Sequence, residues 1–162
     1  MKLDSILRHQ LVLGLPSVMI EGFLTLAKND YDWQWALEEV EKGLIDGRTE
    51  VKSKGGFIVN QLEPQHHFVK EAMESLQRLD EERVVKCQMY VATTRHSQLL
   101  GKHRDYGQDS FIIQCQGYTA IEAGDRYGVL EPGDMMYLRS SDEHRFTSLS
   151  PRFSITLSLE EK

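Results

Sequence analysis

The sequence contains little cysteine, and this shortage argues against a disulfide-stapled domain. Only 2 of its 162 residues are cysteines, Cys87 and Cys115, and they lie in apolar segments without the C-x-x-C spacing of a thiolate metal site. Two such thiols are expected to be small core side chains in a reducing compartment.

Excess positive charge and long apolar runs are also missing. Acidic residues outnumber basic ones by 25 to 19, for a formal net charge of −6, so we expect no nucleic-acid partner. The apolar stretch over residues 11–20 is interrupted by Gly14 and Pro16, is too short to cross a bilayer and lacks the form of a signal peptide. The sequence therefore predicts a cytoplasmic protein that does not associate with a membrane.

The length fits one domain, because 162 residues can bury about two-thirds of their unfolded surface in a single core. We predict one domain over 1–162. Within it, residues 1–84 supply a helical cover with flanking strands, and residues 85–162 form a β-barrel core that carries the metal site.

Two helices are predicted in the N-terminal half. Apolar residues recur at helical spacing from Tyr31 to Val40, with Asp32 available as the cap, and a second apolar stripe follows Pro64. The segment over 47–60 between the helices is expected to be a hairpin or a mobile connection.

Short strands separated by tight turns dominate the second half. Runs such as Phe111–Ile113 and Met135–Leu138 are broken by Gly, Pro and Asp at close intervals, as at Pro132-Gly133. This pattern is typical of antiparallel strands in a meander or barrel. The pattern predicts a mainly β fold with N-terminal helices, in which a small barrel carries its site in the mouth.

Two histidines and one aspartate are the candidate metal ligands. His103 and Asp105 form an H-x-D pair, and because residues i and i+2 of a strand point to the same face, both side chains can reach one ion. His144 supplies the third ligand from a distant strand. Two imidazoles and one carboxylate leave the opposite coordination positions open, as in non-haem Fe(II) oxygenases. The sequence predicts oxidation at Fe(II), with these three residues as metal-binding and catalytic groups.

The last strand alternates strictly between polar and apolar residues. The polar positions are Arg152, Ser154, Thr156 and Ser158, and the apolar ones are Phe153, Ile155, Leu157 and Leu159. In a half-buried strand the polar face would meet solvent. If helices cover the apolar face, the polar face lines the barrel interior, where Arg152 offers a planar fork to a carboxylate and Ser154 adds a hydroxyl.

Several segments match a known family in order and spacing. They are Tyr90-Val-Ala-Thr93, Gly101-Lys-His103-Arg-Asp105, Asp109-Ser-Phe-Ile-Ile-Gln114, Gly117-Tyr118, Leu130-Glu-Pro-Gly-Asp134-Met-Met-Tyr137 and His144. With them, Met89 to Leu159 resembles the 2-oxoglutarate- and Fe(II)-dependent oxygenases, in the JmjC or cupin-like branch of ribosomal-protein and asparaginyl hydroxylases. The resemblance implies that the predicted mainly β fold with N-terminal helices is a double-stranded β-helix of the cupin or jelly-roll type. It also implies Fe(II), 2-oxoglutarate and O₂, and hydroxylation of a protein or peptide side chain or of a small molecule.

The sequence departs from that branch at one position. The branch usually places a Lys or Arg just after the Gly-Tyr pair, where it binds the distal carboxylate of 2-oxoglutarate, but the residue here is Thr119. Other branches of the superfamily use an Arg-x-Ser on the last strand, which Arg152-Phe-Ser154 matches. The co-substrate-binding candidates are therefore Arg152 and Ser154, together with Tyr90, Thr119 and Ser158.

Two other functions fit the same ligands. One is a cupin-type barrel that binds a metal or small ligand without 2-oxoglutarate chemistry, and the other is a cupin dioxygenase that oxidises a small molecule without a co-substrate. Arg152 discriminates among them, because a pure binding barrel has no need for a carboxylate anchor opposite the metal.

Overall fold

The computed structural model describes residues 18–20, 31–63 and 67–162, and contains two helices and ten strands in these ranges. The helices are α1 (Trp33–Asp46) and α2 (His67–Leu79). The strands are β1 (Val18–Ile20), β2 (Thr49–Lys52), β3 (Gly56–Val59), β4 (Arg83–Ala92), β5 (Gln108–Gln116), β6 (Thr119–Ala123), β7 (Arg126–Leu130), β8 (Met135–Leu138), β9 (His144–Ser148) and β10 (Arg152–Glu161).

The strands form two antiparallel sheets. The larger sheet has seven strands in the order β1-β8-β5-β10-β4-β3-β2, and the smaller has three in the order β7-β6-β9. Apolar side chains from both sheets meet in one cluster, which includes Ile112 of β5 and Ile121 of β6. This architecture, mainly β with two helices, is the jelly-roll or cupin fold that the sequence predicted.

Both helices pack on the outer face of the larger sheet. Asp32 caps α1 as predicted, because its carboxylate accepts a hydrogen bond from the Trp35 N–H at 2.8 Å. Gly47 ends this helix with φ of 81°, a left-handed conformation that glycine adopts without a steric penalty. Val40 of α1 and Leu76 of α2 belong to the main apolar core, which contains both cysteines.

The central strand β10 is buried on both faces. Its odd-numbered residues, including Ile155 and Leu157, belong to the main core beneath the helices. Its even-numbered residues from Arg152 to Ser158 point the other way and are also buried. Of the two alternatives that the sequence left open, the structure selects the one in which helices cover the apolar face, and the polar face is directed toward the smaller sheet.

The N-terminal half contributes strands as well as helices. β2 and β3 form the predicted hairpin and extend the larger sheet beyond β4, and β1 pairs with β8 at the other edge. The division at residue 84 and the single-domain boundary stay predictions. No helix in the described ranges is long and apolar enough to cross a bilayer. Most of the apolar stretch over 11–20 and Pro64 lie outside those ranges.

Candidate metal centre and adjoining cavity

The structure brings together the three predicted metal ligands. One ligand atom from each of His103, Asp105 and His144 lies within 4.8 Å of the others. His144 is the first residue of β9, whereas His103 and Asp105 lie in the connection between β4 and β5.

The H-x-D pair does not lie on the regular strand that the sequence predicted. Only an isolated bridge holds it, in which the His103 N–H donates to the His144 carbonyl at 3.0 Å and the His144 N–H donates back at 2.9 Å. Gly101 and Gly107 flank the segment, and Gly107 has φ of 74°, which interrupts extended pairing. The backbone bridge, rather than a strand, sets the distance between the two imidazoles.

Backbone carbonyls fix the orientation of both imidazole rings. Nδ1 of His103 lies 2.7 Å from the Gly101 oxygen, and Nδ1 of His144 lies 3.0 Å from the Asp142 oxygen. Each Nε2 faces Asp105, with one carboxylate oxygen 3.4 Å from each ring. A carbonyl on Nδ1 selects the tautomer that leaves Nε2 free to bind a metal, which is the usual outer contact of a histidine ligand.

The cluster is more enclosed at His144 than at its partners. The His144 side chain is 4% exposed, against 30% for His103 and 32% for Asp105. Burial, together with the charge of His103, lowers the pKa of His144 below its usual value. The neutral imidazole, the form that coordinates metals, is therefore favoured at His144. Two imidazole nitrogens and one carboxylate fit the donor set of a facial Fe(II) site.

The three ligands open into a cavity between the two sheets. Its volume is about 600 Å³ including the open mouth. The lining includes Tyr90, Leu99, Leu100, Gln108, Ser110, Ile112, Gln114, Thr119, Leu138, Phe146, Arg152, Ser154 and Thr156. The structure thus places four of the five co-substrate candidates on the same cavity as the metal ligands.

Arg152 is the buried cation of this cavity. Only 4% of the residue is exposed, Nε donates to Ser148 Oγ at 3.0 Å, and a guanidinium nitrogen donates to Ser154 Oγ at 3.4 Å. No carboxylate of the described residues forms an ion pair with it, and burial lowers its pKa to about 10. A buried guanidinium that contacts only hydroxyls retains donors for an anion.

Thr119 faces the cavity but its hydroxyl is already bonded. It donates to Gln114 Oε1 at 3.0 Å, and Gln114 Nε2 donates to the carbonyls of Gln116 and Gly117 at 2.9 and 3.1 Å. Gln114 is fully buried and was not among the predicted site residues. The one sequence signal was weak, namely a single strongly polar residue in an apolar run, and the structure pairs this residue in register with Ser154 of β10.

The remaining candidates are divided between the cavity and its surroundings. Tyr90 lines the cavity, its hydroxyl donates to Gln88 Oε1 at 3.3 Å, and burial raises its pKa to about 12. Ser158 is buried but does not line the cavity, and its hydroxyl donates to Glu160. Tyr90 can therefore contact a ligand in this cavity, whereas Ser158 cannot.

Solved structures of similar fold include YcfD, a ribosomal oxygenase from Escherichia coli. Its structure with cobalt and 2-oxoglutarate aligns with a TM-score of 0.69 at 15% identity, covering 90% of this chain and 48% of that one. A second YcfD structure gives 0.68 at the same identity and coverage. KdgF from Halomonas sp. aligns with a TM-score of 0.50 at 14% identity, covering 70% of this chain and 88% of that one.

These likenesses concern the fold alone, a cupin-like or jelly-roll barrel. No protein-family model and no curated protein matches the chain. The chain spans 48% of the length of YcfD. The activity of that longer protein is therefore not carried over with the fold.

Proposed function

We propose that the chain is an Fe(II)- and 2-oxoglutarate-dependent oxygenase that hydroxylates a C–H bond of its substrate. One observation carries the proposal, namely that the His-Asp-His cluster and the buried Arg152 line a single cavity. The cluster suits a divalent metal, and the guanidinium suits the far carboxylate of a ligand that spans the cavity. The YcfD structure with cobalt and 2-oxoglutarate supports this pairing.

Each ligand residue has a defined task in this proposal. His103 and His144 hold the metal through Nε2 while their Nδ1 atoms remain on backbone carbonyls, and Asp105 offsets part of the metal charge. Fe(II) and 2-oxoglutarate together supply an oxidant from O₂ when bound. Because related halogenases vacate the carboxylate position for halide, the carboxylate of Asp105 favours hydroxylation.

Arg152 is the anchor that we propose for 2-oxoglutarate. Ser154 accepts a hydrogen bond from the guanidinium and so orients it, while Tyr90 and Thr119 border the same space. The substrate that we propose is a protein or peptide side chain, with a small molecule as the alternative. The free, buried Cys87 and Cys115 fit a reducing compartment such as the cytoplasm.

An anaerobic titration tests the proposal directly. Adding 2-oxoglutarate to the Fe(II)-loaded protein is expected to produce the visible metal-to-ligand charge-transfer band, and air is expected to yield succinate. Asp105→Ala is expected to lose succinate formation while circular dichroism stays unchanged, because Asp105 is partly exposed and outside the apolar cores. His96→Ala, at an exposed histidine that does not line the metal cavity, is the matched control and is expected to keep wild-type Fe(II) binding, charge-transfer band and succinate formation.

The other outcomes identify the alternatives. Metal binding without the band and without succinate would favour a cupin barrel that only binds its ligand. Oxidation of a small molecule with O₂ but without consumption of 2-oxoglutarate would favour a co-substrate-independent dioxygenase.

A further inference from the structure

A second concavity adjoins the mouth of the metal cavity. Three segments form it: the tip of the β2–β3 hairpin at 51–54, the connection at 95–101, and residues 145–148 of β9. It shares Leu99, Leu100 and Phe146 with the metal cavity, so the two spaces adjoin at these three side chains. We call this second space the basic groove.

The hairpin wall of the basic groove is held in place by hydroxyl groups. The Lys54 carbonyl accepts hydrogen bonds from Ser97 Oγ at 2.8 Å and Thr94 Oγ1 at 3.3 Å, and Thr93 Oγ1 donates to the Gly55 carbonyl at 2.8 Å. The Gln98 N–H donates to the Ser53 carbonyl at 3.3 Å. Because the hairpin and the connection are tied together, the wall is formed before any ligand arrives.

The groove concentrates positive charge on an acidic protein. Its cationic side chains are Lys52, Lys54, Arg95 and Arg145, and no Asp or Glu is among the described residues that line it. Lys52 and Arg145 have acidic partners outside the groove, whereas Lys54 and Arg95 form no ion pair with a described residue. In a chain of net charge −6, such a local field attracts anionic ligands to one site.

Lys54 has a backbone conformation that lysine seldom adopts. Its φ is 58°, and the following Gly55 has φ of 77°. Asn or Gly adopts the left-handed region more readily than Lys at such a position. An unpaired cation kept in a disfavoured conformation at the rim of a cavity is consistent with a requirement for its charge there.

The floor of the groove is an open strand edge. β9 pairs only with β6 within the described sheets, and the backbone of His144 points outward to its bridge with His103. Since outward-pointing backbone groups recur at every second residue, the N–H and C=O of Phe146 and Ser148 also point into the groove. Such an edge can accept an extended peptide as an added strand.

We propose that the basic groove binds an extended, acidic polypeptide segment along β9 and delivers a side chain of that segment to the metal cavity. This proposal rests on the proposed function for what happens in the cavity, but the binding itself requires neither metal nor 2-oxoglutarate. Main-chain pairing to β9 selects a polypeptide, and the cations around it select negative charge. A nucleic acid lacks the backbone amides that Phe146 and Ser148 would pair with.

Fluorescence anisotropy with metal-free full chain tests the groove. The probe is a short fluorescein-labelled peptide of alternating Glu and Thr, compared with the same peptide carrying Lys for Glu and with a single-stranded RNA of equal charge. The acidic peptide is expected to bind, more weakly as salt is raised, and the basic peptide is expected not to. N-methylation of alternate peptide amides is expected to weaken binding about tenfold, because those amides pair with β9.

The variants separate groove charge from general charge. Lys54→Asn with Arg95→Gln is expected to weaken peptide binding about tenfold, and Asn suits the left-handed position, so the hairpin is retained. Arg126→Gln with Lys162→Gln removes the same charge from the β7 edge and the chain end, and is expected to bind as wild type. Equal binding by both pairs, no effect of N-methylation, or preference for the RNA would overturn the proposal. If the wild-type protein bound the acidic peptide as expected but formed no succinate when loaded with Fe(II), the proposed function would be overturned and the groove proposal would stand.

Discussion

The two faces of β10 are equally buried and chemically opposite. Ile155 is 0% exposed on the helix side and Ser154 is 2% exposed on the cavity side, so exclusion of solvent does not distinguish them. The helix side is filled by apolar contacts, whereas the cavity side presents hydrogen-bonding groups around an open space. One strand therefore contributes to the stability of the fold through its apolar face and presents ligand-binding groups on its polar face.

The largest effect is expected at the proposed metal ligands, where a substitution should abolish Fe(II) binding without unfolding the protein. His144→Ala or His103→Ala removes one of three protein ligands, so we expect stoichiometric Fe(II) binding to be abolished while the protein stays folded. Anaerobic calorimetric titration measures the loss, and circular dichroism checks the fold. His96→Ala is the control. If both variants bound one Fe(II) with wild-type affinity, the cluster would not be the metal site.

Arg152→Met tests whether the cavity face of β10 contributes to ligand binding without contributing to stability. Truncating one partner of a buried charge pair usually costs about 2–5 kcal/mol, so we expect 2-oxoglutarate to bind the Fe(II) protein more weakly by that amount. Without ligand, the buried guanidinium has no carboxylate partner among the described residues, so Met at this position is expected to leave the free energy of unfolding unchanged or raise it. Calorimetric titration and urea unfolding measure the two effects. Wild-type affinity in the variant would exclude Arg152 as the anchor.

Leu157→Ala is the matching change on the helix face. Leu157 is 1% exposed in the main core, so the cavity left behind is expected to lower the free energy of unfolding by about 2–5 kcal/mol. Fe(II) and 2-oxoglutarate affinities of the folded variant are expected to stay at wild-type values. A variant of normal stability that binds 2-oxoglutarate poorly would show that the two faces are not separable.

Thr119→Val has the smallest expected effect. The substitution removes the hydrogen bond to Gln114 while keeping the side-chain shape, and we expect 2-oxoglutarate affinity to fall by about 1 kcal/mol as Gln114 loses its orientation. Calorimetric titration beside Arg152→Met measures the ratio of the two losses. A loss at Thr119 as large as the loss at Arg152 would make Thr119 a direct ligand of the co-substrate.

The alternating sequence of β10 allowed the two faces of this strand to be distinguished before the structure was known. Residues 152–159 follow a strict period of two, which separated a polar from an apolar face, but the sequence left open whether the polar face meets solvent or the barrel interior, and the structure selects the interior. β5 offers no such alternation, because Gln114 is the single strongly polar residue between Phe111 and Cys115, and the run itself does not distinguish a cavity-facing amide from an isolated core residue.

Features that are assembled from distant segments could not be predicted from the sequence. His103 and Asp105 were predicted as a pair, and the structure brings them to His144, but on a bridged connection rather than on the strand that the sequence predicted. The basic groove needs the hairpin tip, the 95–101 connection and β9 at once. No local pattern links these three, since their proximity is set by the packing of two sheets.

The bridge between His103 and His144 also has an entropic consequence. Two backbone hydrogen bonds, at 3.0 and 2.9 Å, close the long loop between these residues without using any metal-ligating atom. In a site assembled by its metal, part of the binding free energy goes into closing that loop, and removal of the ion unfolds the protein. Here the fold has already closed it, so a chelator is expected to leave a native apo-protein. The thermal midpoint of that apo-protein is then expected to rise with metal concentration by mass action alone.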